Sequence, residues 1–367
     1  MKIAYFINTF KSTNWGGQAT STGIRHLLKF EYPHAEFVPL DLPDLPFKKL
    51  KLLRSYYEKK LLKALIQHQH QDILYFLEKM NIPEQFFDDF THVCFNGEGA
   101  VHYKSGHLVR FLGLLYLAKY KNKKVASINQ TVDLNNQKAL AQAIVGIYGQ
   151  CDFVSVREPL SYDYLKHIGL EKTHLIPDAV YGLPMLKEEF IQATLNKFGL
   201  KHKQFITMTG SSFLERDAKS VKFMKNIVEF TFKNQQLPIV FLSNAKTDLY
   251  LIKKIIELNS ELKNHIQIVS SDNTHFNEVM ALIAGSCLLV GGRQHPNIFA
   301  FIYKTPYLPF DGNTFKNLGV AKLQEYQIEP LKWDCNLETF SKKMHEALAL
   351  KADQFKDVRI NEFKIFE

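Results

Sequence analysis

Arg293 and His295 lie two residues apart, behind Gly291-Gly292 and ahead of Pro296. A guanidinium can clamp a carboxylate or phosphate through two parallel N–H donors. An imidazole can give or take a proton near neutrality. Side by side, the two suit a site that binds an anionic ligand and moves a proton. The run before them, Cys287-Leu288-Leu289-Val290, has strand length, and the glycine pair is expected to end it in a sharp turn. Apolar residues resume at Ile298-Phe299-Ala300-Phe301-Ile302, which predicts a helix over 297–303. Helix starts bind anions. Gly291, Gly292, Arg293, Gln294 and His295 are therefore expected to cradle one.

Other segments place reactive types after apolar runs. Arg157 ends the run Phe153–Val156, and Glu158-Pro159 suits a helix start. Asp178, in Ile176-Pro177-Asp178, is placed to orient Arg157 or a substrate hydroxyl. A purely structural pairing of Arg157 with Glu158 or Asp178 is the alternative. Asn96-Gly97-Glu98-Gly99 reads as a turn, with Glu98 and His102 as candidate acids or bases. Asn14-Trp15-Gly16-Gly17 has glycines that could expose backbone N–H groups to a phosphate or sugar. Ser211 and Ser212, after Thr209-Gly210, fit phosphate contacts. No P-loop lysine, dinucleotide fingerprint, nucleophile elbow or metal-ligand spacing is present, so no metal and no cofactor is expected.

These groups need a scaffold that delivers loops at strand ends. Strand-like runs alternate with helical periodicity along all 367 residues. Eleven strands are expected, beginning near Ile3, Phe37, His92, Lys124, Phe153, His174, Phe205, Ile239, Ile266, Cys287 and Tyr307. Such alternation predicts parallel sheets covered by helices. At about 150 residues per domain, the length suggests two. The expected fold is α/β: two doubly wound, Rossmann-like domains facing across a cleft. Residues 1–185 would form an N-terminal domain on the acceptor side and 186–335 a C-terminal domain on the donor side. Helices near Leu337–Ala349 and Ala352–Phe366, within 336–367, would pack back on the first domain.

The composition, 46% hydrophobic and 23% charged, is that of a globular protein with ample core. Four scattered cysteines suggest buried free thiols and a reducing cytoplasm. The N-terminus lacks a signal-peptide pattern, and no run reaches membrane-span length. The net charge of +9 points to acidic partners, but no nucleic-acid motif accompanies it, so no nucleic acid is expected. Pro46–Lys63 combines helical apolar spacing with a dense set of lysines. It is either a core-packed helix with a solvated basic face or a peripheral contact with an anionic membrane.

Taken in order, these segments resemble the polysaccharide pyruvyl transferase family over most of residues 1–320. The landmarks are Asn14-Trp15-Gly16-Gly17, then Asn96-Gly97-Glu98-Gly99. Val156-Arg157-Glu158-Pro159-Leu160-Ser161 with Pro177-Asp178 follows, and then Arg293-Gln294-His295 with Lys304-Thr305-Pro306. The resemblance implies a fold similar to GT-B glycosyltransferases and transfer of a pyruvyl group from phosphoenolpyruvate to a sugar or lipid-linked glycan acceptor. It implies that Arg157 and Arg293 hold the donor's carboxylate and phosphate, and that His295 contacts phosphate or serves as acid. Gln294, Pro296, Asn96 and Glu98 depart from the family pattern. His295-Pro296 is also similar to the His-Pro motif of bacterial sialyltransferases. The alternative is therefore a GT-B-like glycosyltransferase with a nucleotide-activated sugar donor; a non-catalytic carbohydrate-binding protein is the third class.

Overall fold

The computed structural model describes residues 1–7, 9–10, 12–46, 50–360 and 362–366. By its contacts the chain forms two compact units. The first is Met1–Asn8, Ile24–Ala179 and Ile360–Glu367; the second is Thr9–Gly23 and Val180–Arg359.

The elements of the N-terminal half are β1 (Lys2–Phe6), α1 (Trp15–Glu31), β2 (Glu36–Leu40), α2 (Lys51–Ile66), α3 (His70–Lys79), β3 (His92–Glu98), α4 (Leu108–Tyr120), β4 (Lys124–Gln130), α5 (Lys138–Tyr148), β5 (Phe153–Val156), α6 (Pro159–His167) and β6 (Thr173–Leu175). The strands of the first unit make one parallel sheet in the order β2-β1-β3-β4-β5-β6. The C-terminal half holds α7 (Glu188–Lys197), β7 (Ile206–Ser211), α8 (Ala218–Gln235), β8 (Ile239–Ser243), α9 (Lys246–Leu258), β9 (Ile266–Ser270), α10 (Phe276–Gly285), β10 (Leu288–Gly292), α11 (Gln294–Ile302), β11 (Tyr307–Pro309), α12 (Lys316–Gln324) and α13 (Leu337–Leu348). Its strands form a second parallel sheet, β11-β10-β7-β8-β9. Both faces of such sheets are covered by helices, so central strands read as continuous apolar runs. Ile239–Leu242, all 0% exposed, is the plainest case.

Each sheet reverses its strand order once, between β1 and β3 in the first unit and between β7 and β10 in the second. At such switch points adjacent loops diverge and leave room for a ligand at the carboxyl ends.

Three glycine pairs or singles expected to end strands lie inside them instead. Gly291 and Gly292 belong to β10, Gly97 to β3 and Gly210 to β7. Their role is close approach between neighbours. A Cβ on Gly291 would stand 1.9 Å from Thr209 Oγ1, one on Gly292 2.5 Å from Ser211 Oγ, and one on Gly97 2.6 Å from Gln130 Cβ. The helix expected over 297–303 starts three residues early, at Gln294. Pro296 is compatible because N–H groups in a first turn have no intrahelical acceptor.

The segment 9–23, expected with the first domain, joins the second unit, so α1 is divided between the two. Helix α13 packs on α8 and β11 in the second unit. The helix expected over Ala352–Phe366 is only a 3₁₀ turn at Ala352–Gln354; Asn361 lies outside the described residues. Beyond that turn the chain alternates: Phe363 and Ile365 are buried and Lys364 is exposed. That period of two suits extended backbone, not helix. Phe363, Ile365 and Phe366 pack with Ile3, Tyr5, Ile24 and Cys94, and Tyr32 Oη exchanges hydrogen bonds with the Phe366 backbone. Phe363→Ala should destabilise the first unit by about 3 kcal/mol, the usual range for a buried Phe truncation. A urea midpoint unchanged from wild type would show that the tail contributes nothing to that core.

Candidate functional site

At the switch point of the second sheet, β10 hands the chain to α11. Arg293 is the N-cap of α11, in extended conformation (φ −82°, ψ 120°). Gln294 and His295 occupy its first turn, 6% and 8% exposed. The guanidinium forms a two-point bond with Asp248: Nε donates to Oδ2 at 3.1 Å and Nη2 to Oδ1 at 2.7 Å. The side chains are 15% and 0% exposed. Burial pushes the Asp248 carboxyl above its usual range, while the Arg293 guanidinium and backbone N–H groups pull the other way.

Asp248 is held in turn. It sits in the first turn of α9 and its Oδ2 accepts the Asn244 N–H at 3.1 Å. Asn244 Oδ1 accepts the Trp15 N–H at 3.0 Å, and Trp15 Nε1 donates to Thr274 O at 2.7 Å. The start of α1 is thus pinned within the second unit. One turn further along α1, Thr20 Oγ1 lies 3.0 Å from His295 Nε2, a hydrogen bond that fixes one side of the ring. Gly16 lies against the other side, where a Cβ would be 2.0 Å from Nδ1. Asn14 caps the same turn through Oδ1, which accepts the Gly17 N–H at 3.1 Å.

The structure therefore gathers Asn14, Gly16, Gly17, Gly291, Gly292, Arg293, Gln294 and His295 in one unit. Asn14, Gly16 and Gly17, expected on the acceptor side of an N-terminal domain, belong here instead because Trp15 anchors them to Asn244 and Thr274. Ser211 pairs with Gly292 across the sheet, but both serine hydroxyls are engaged by the following loop: Ser211 Oγ donates to Asp311 O at 2.7 Å and Ser212 Oγ to Asn313 Oδ1 at 3.0 Å. Trp15, Thr20 and Asp248 carry no mark in the sequence as site residues. The only sequence signal for Asp248 was an acid shortly after the Ser243-Asn244-Ala245 turn, a common way to favour a helix start.

In the first unit Arg157 is 1% exposed at the carboxyl end of β5. Its Nε donates to Thr131 Oγ1 at 3.1 Å and its Nη1 to Asp178 Oδ2 at 2.7 Å. Glu158, the alternative partner for Arg157, is instead the N-cap of α6 and accepts the Ser161 N–H at 3.1 and 3.2 Å. Asn129 ties the Asp178 segment down by accepting the Ala179 N–H at 2.9 Å, and also donates to Asn96 at 3.2 Å. Glu98 ends β3 beside the first sheet's switch point, with φ of 34°. His102 lies in the following loop, where its Nδ1 accepts the Lys104 N–H at 3.2 Å.

Chemically, the second unit offers a directed guanidinium, an oriented imidazole and the start of a nine-residue helix within three consecutive positions. That set suits an anion and a proton transfer.

The family model described as polysaccharide pyruvyl transferase matches residues 14–313. No curated protein matches the chain. Among solved structures, the UDP-GlcNAc 2-epimerase of Methanocaldococcus jannaschii aligns with a TM-score of 0.62 at 13% identity, over 98% of this chain and 96% of that one. The S. aureus MnaA–UDP co-structure aligns at 0.60 and 12% identity, over 98% and 92%. A glycosyltransferase from Rickettsia africae ESF-5 aligns at 0.54 and 13% identity, over 95% and 88%. At these identities the likeness shows a common fold: two parallel-sheet α/β units of the GT-B kind.

Glu158 supplies a test of the site's support. Its carboxyl is pushed above its usual 4.5 by burial, with the Ser161 hydrogen bonds opposing. A carboxyl raised in the folded state binds its proton more tightly there. Its contribution is therefore complete below pH 4.5 and is lost as pH rises through the raised value. Melting curves should show wild type losing stability relative to Glu158→Gln across that window and running parallel above it. A constant offset at every pH would contradict the burial.

Proposed function

The chain belongs to the polysaccharide pyruvyl transferase family, and on that premise we propose that it transfers a pyruvyl group from phosphoenolpyruvate to hydroxyls of a sugar or lipid-linked glycan in surface-polysaccharide assembly. The observation that carries the reading is the Arg293–His295 pair at the start of α11, oriented by Asp248 and Thr20. In the reaction, the enol CH₂ of the donor takes a proton and becomes a methyl group. A sugar hydroxyl adds at C2 and gives up its proton. A second hydroxyl then displaces phosphate from C2, its own proton leaving to base, and the ketal remains. Arg293 and the N–H groups at the start of α11 offset the donor's negative charge. His295 is the group proposed to deliver the proton to the CH₂ carbon or to the departing phosphate.

Phosphoenolpyruvate should be consumed, with release of phosphate, only when a glycan acceptor is present. Arg293→Ala and His295→Ala should each lower kcat/KM by about 10²-fold or more, and Arg157→Ala tests whether the arginine of the first unit takes part. Thermal stabilisation by CMP or UDP, with none by phosphoenolpyruvate, would move the assignment to a nucleotide-sugar glycosyltransferase.

The proposed workplace is the inner face of the membrane. Among the described residues no helix is long and apolar enough to cross one. Phe47, Lys48 and Lys49 of the basic stretch lie outside the described residues. Helix α2 turns Leu61, Ala64 and Leu65 into the core, while Leu50, Leu52 and Tyr56 are 59%, 90% and 51% exposed. Lys59, Lys60 and Lys63 are exposed as well. Exposed leucines among lysines are the surface an anionic bilayer would bind. The protein should sediment with phosphatidylserine-rich vesicles at low salt and do so less after Leu52→Glu; equal recovery without vesicles would exclude the contact.

A further inference from the structure

We propose that Asp248 is a positioning residue that presets the guanidinium of Arg293, so that the donor meets a directed, charge-compensated N–H edge rather than a loose cation. The inference rests on Arg293 being a donor contact.

Arginine has five N–H donors in a rigid plane. Asp248 takes one edge of that plane through Nε and Nη2. Among the described residues Nη1 makes no hydrogen bond, and the side chain keeps 15% of its surface exposed. The edge left over is the one an anion can reach. Asp248 cannot follow a shifting arginine, because it is 0% exposed and tied to Asn244, which is tied to Trp15. Room for the carboxylate exists only because position 210 is glycine: a Cβ there would lie 2.1 Å from Asp248 Oδ1.

A stability role does not account for this arrangement. Well-packed apolar residues usually serve a buried position as well as an ion pair does. What an ion pair adds is direction. Asp248 also compensates the charge of Arg293, so donor affinity should come from aimed N–H groups and fall only gently with salt. Arg157 and Asp178 repeat the theme in the first unit, with both members 1% exposed. The family pattern's Arg-x-His motif does not include position 248.

The test uses the whole chain and phosphoenolpyruvate. Asp248→Asn should raise KM or Kd about tenfold through misplacement of the contact, leave kcat near wild type, and steepen the dependence of affinity on salt. Tighter or unchanged binding would overturn the proposal, since a residue that merely neutralises Arg293 would strengthen anion binding when its charge is removed. Gly210→Ala keeps the charge but displaces the carboxylate, and should reproduce the loss if Asp248→Asn folds poorly. If wild type neither binds nor consumes phosphoenolpyruvate, the proposed function fails on its own. The Arg293 Nε–H exchange rate measured by ¹⁵N NMR then decides the positioning claim without a ligand: slow in wild type and fast in Gly210→Ala supports it, and equal rates overturn it.

Discussion

A fully buried carboxylate needs a charge partner, and the second unit is organised around supplying Arg293 to Asp248. Removing Arg293 would strand the Asp248 charge away from water, which is far costlier than losing an exposed pair. Asp248 must therefore sit at a fixed depth, with β7 and β10 close enough to bring Arg293 to it. Gly210 clears the space beside the carboxylate, and Gly291 and Gly292 let β10 lie against Thr209 and Ser211. The same carboxylate organises the Asn244 turn, and through it the first turn of α1. One ion pair thus couples the ends of β7, β8 and β10 and the starts of α1, α9 and α11.

The imidazole depends on that coupling. His295 is placed by α11, but its ring is held by residues from α1: Thr20 on Nε2 and Gly16 against Nδ1. Helix α1 reaches it because Trp15 is fixed by Asn244 and Thr274. An acid or base is useful only when its proton has a defined direction, and here the direction comes from a helix some 270 residues earlier in the chain. The first unit handles its own buried arginine in a similar way, with a relay through Asn96, Asn129 and the Asp178 segment at the carboxyl ends of β3, β4 and β6.

Glycine carries different information in this fold from what its local chemistry suggests. After an apolar run it signals a turn, since it tolerates conformations other residues avoid. Gly97, Gly210, Gly291 and Gly292 are instead strand residues chosen for the missing Cβ. The distinction depends on what packs against each: Gln130, Thr209 and Ser211 from neighbouring strands for Gly97, Gly291 and Gly292, and Asp248 from the start of α9 for Gly210. Those partners are between 33 and 82 residues distant along the chain, beyond any local reading.

The sequence by itself determined the α/β class, the strands and most of the helices, because the alternation of short apolar runs with 3.6-residue periodicity reflects local backbone geometry and burial. It also marked Arg293, His295, Arg157 and Asp178, whose types and positions after strands announce chemistry. It did not reveal Asp248, Trp15 or Thr20, nor the assignment of the start of α1 to the second unit. It misread the C-terminal tail, whose alternating Phe363 and Ile365 become legible as extended chain only once a core exists to receive them. The reason is common to all of these. Secondary structure follows from neighbours in sequence, whereas the partner of a buried charge or the wall beside a glycine is set by which strands and helices pack together. Only the tertiary structure decides that.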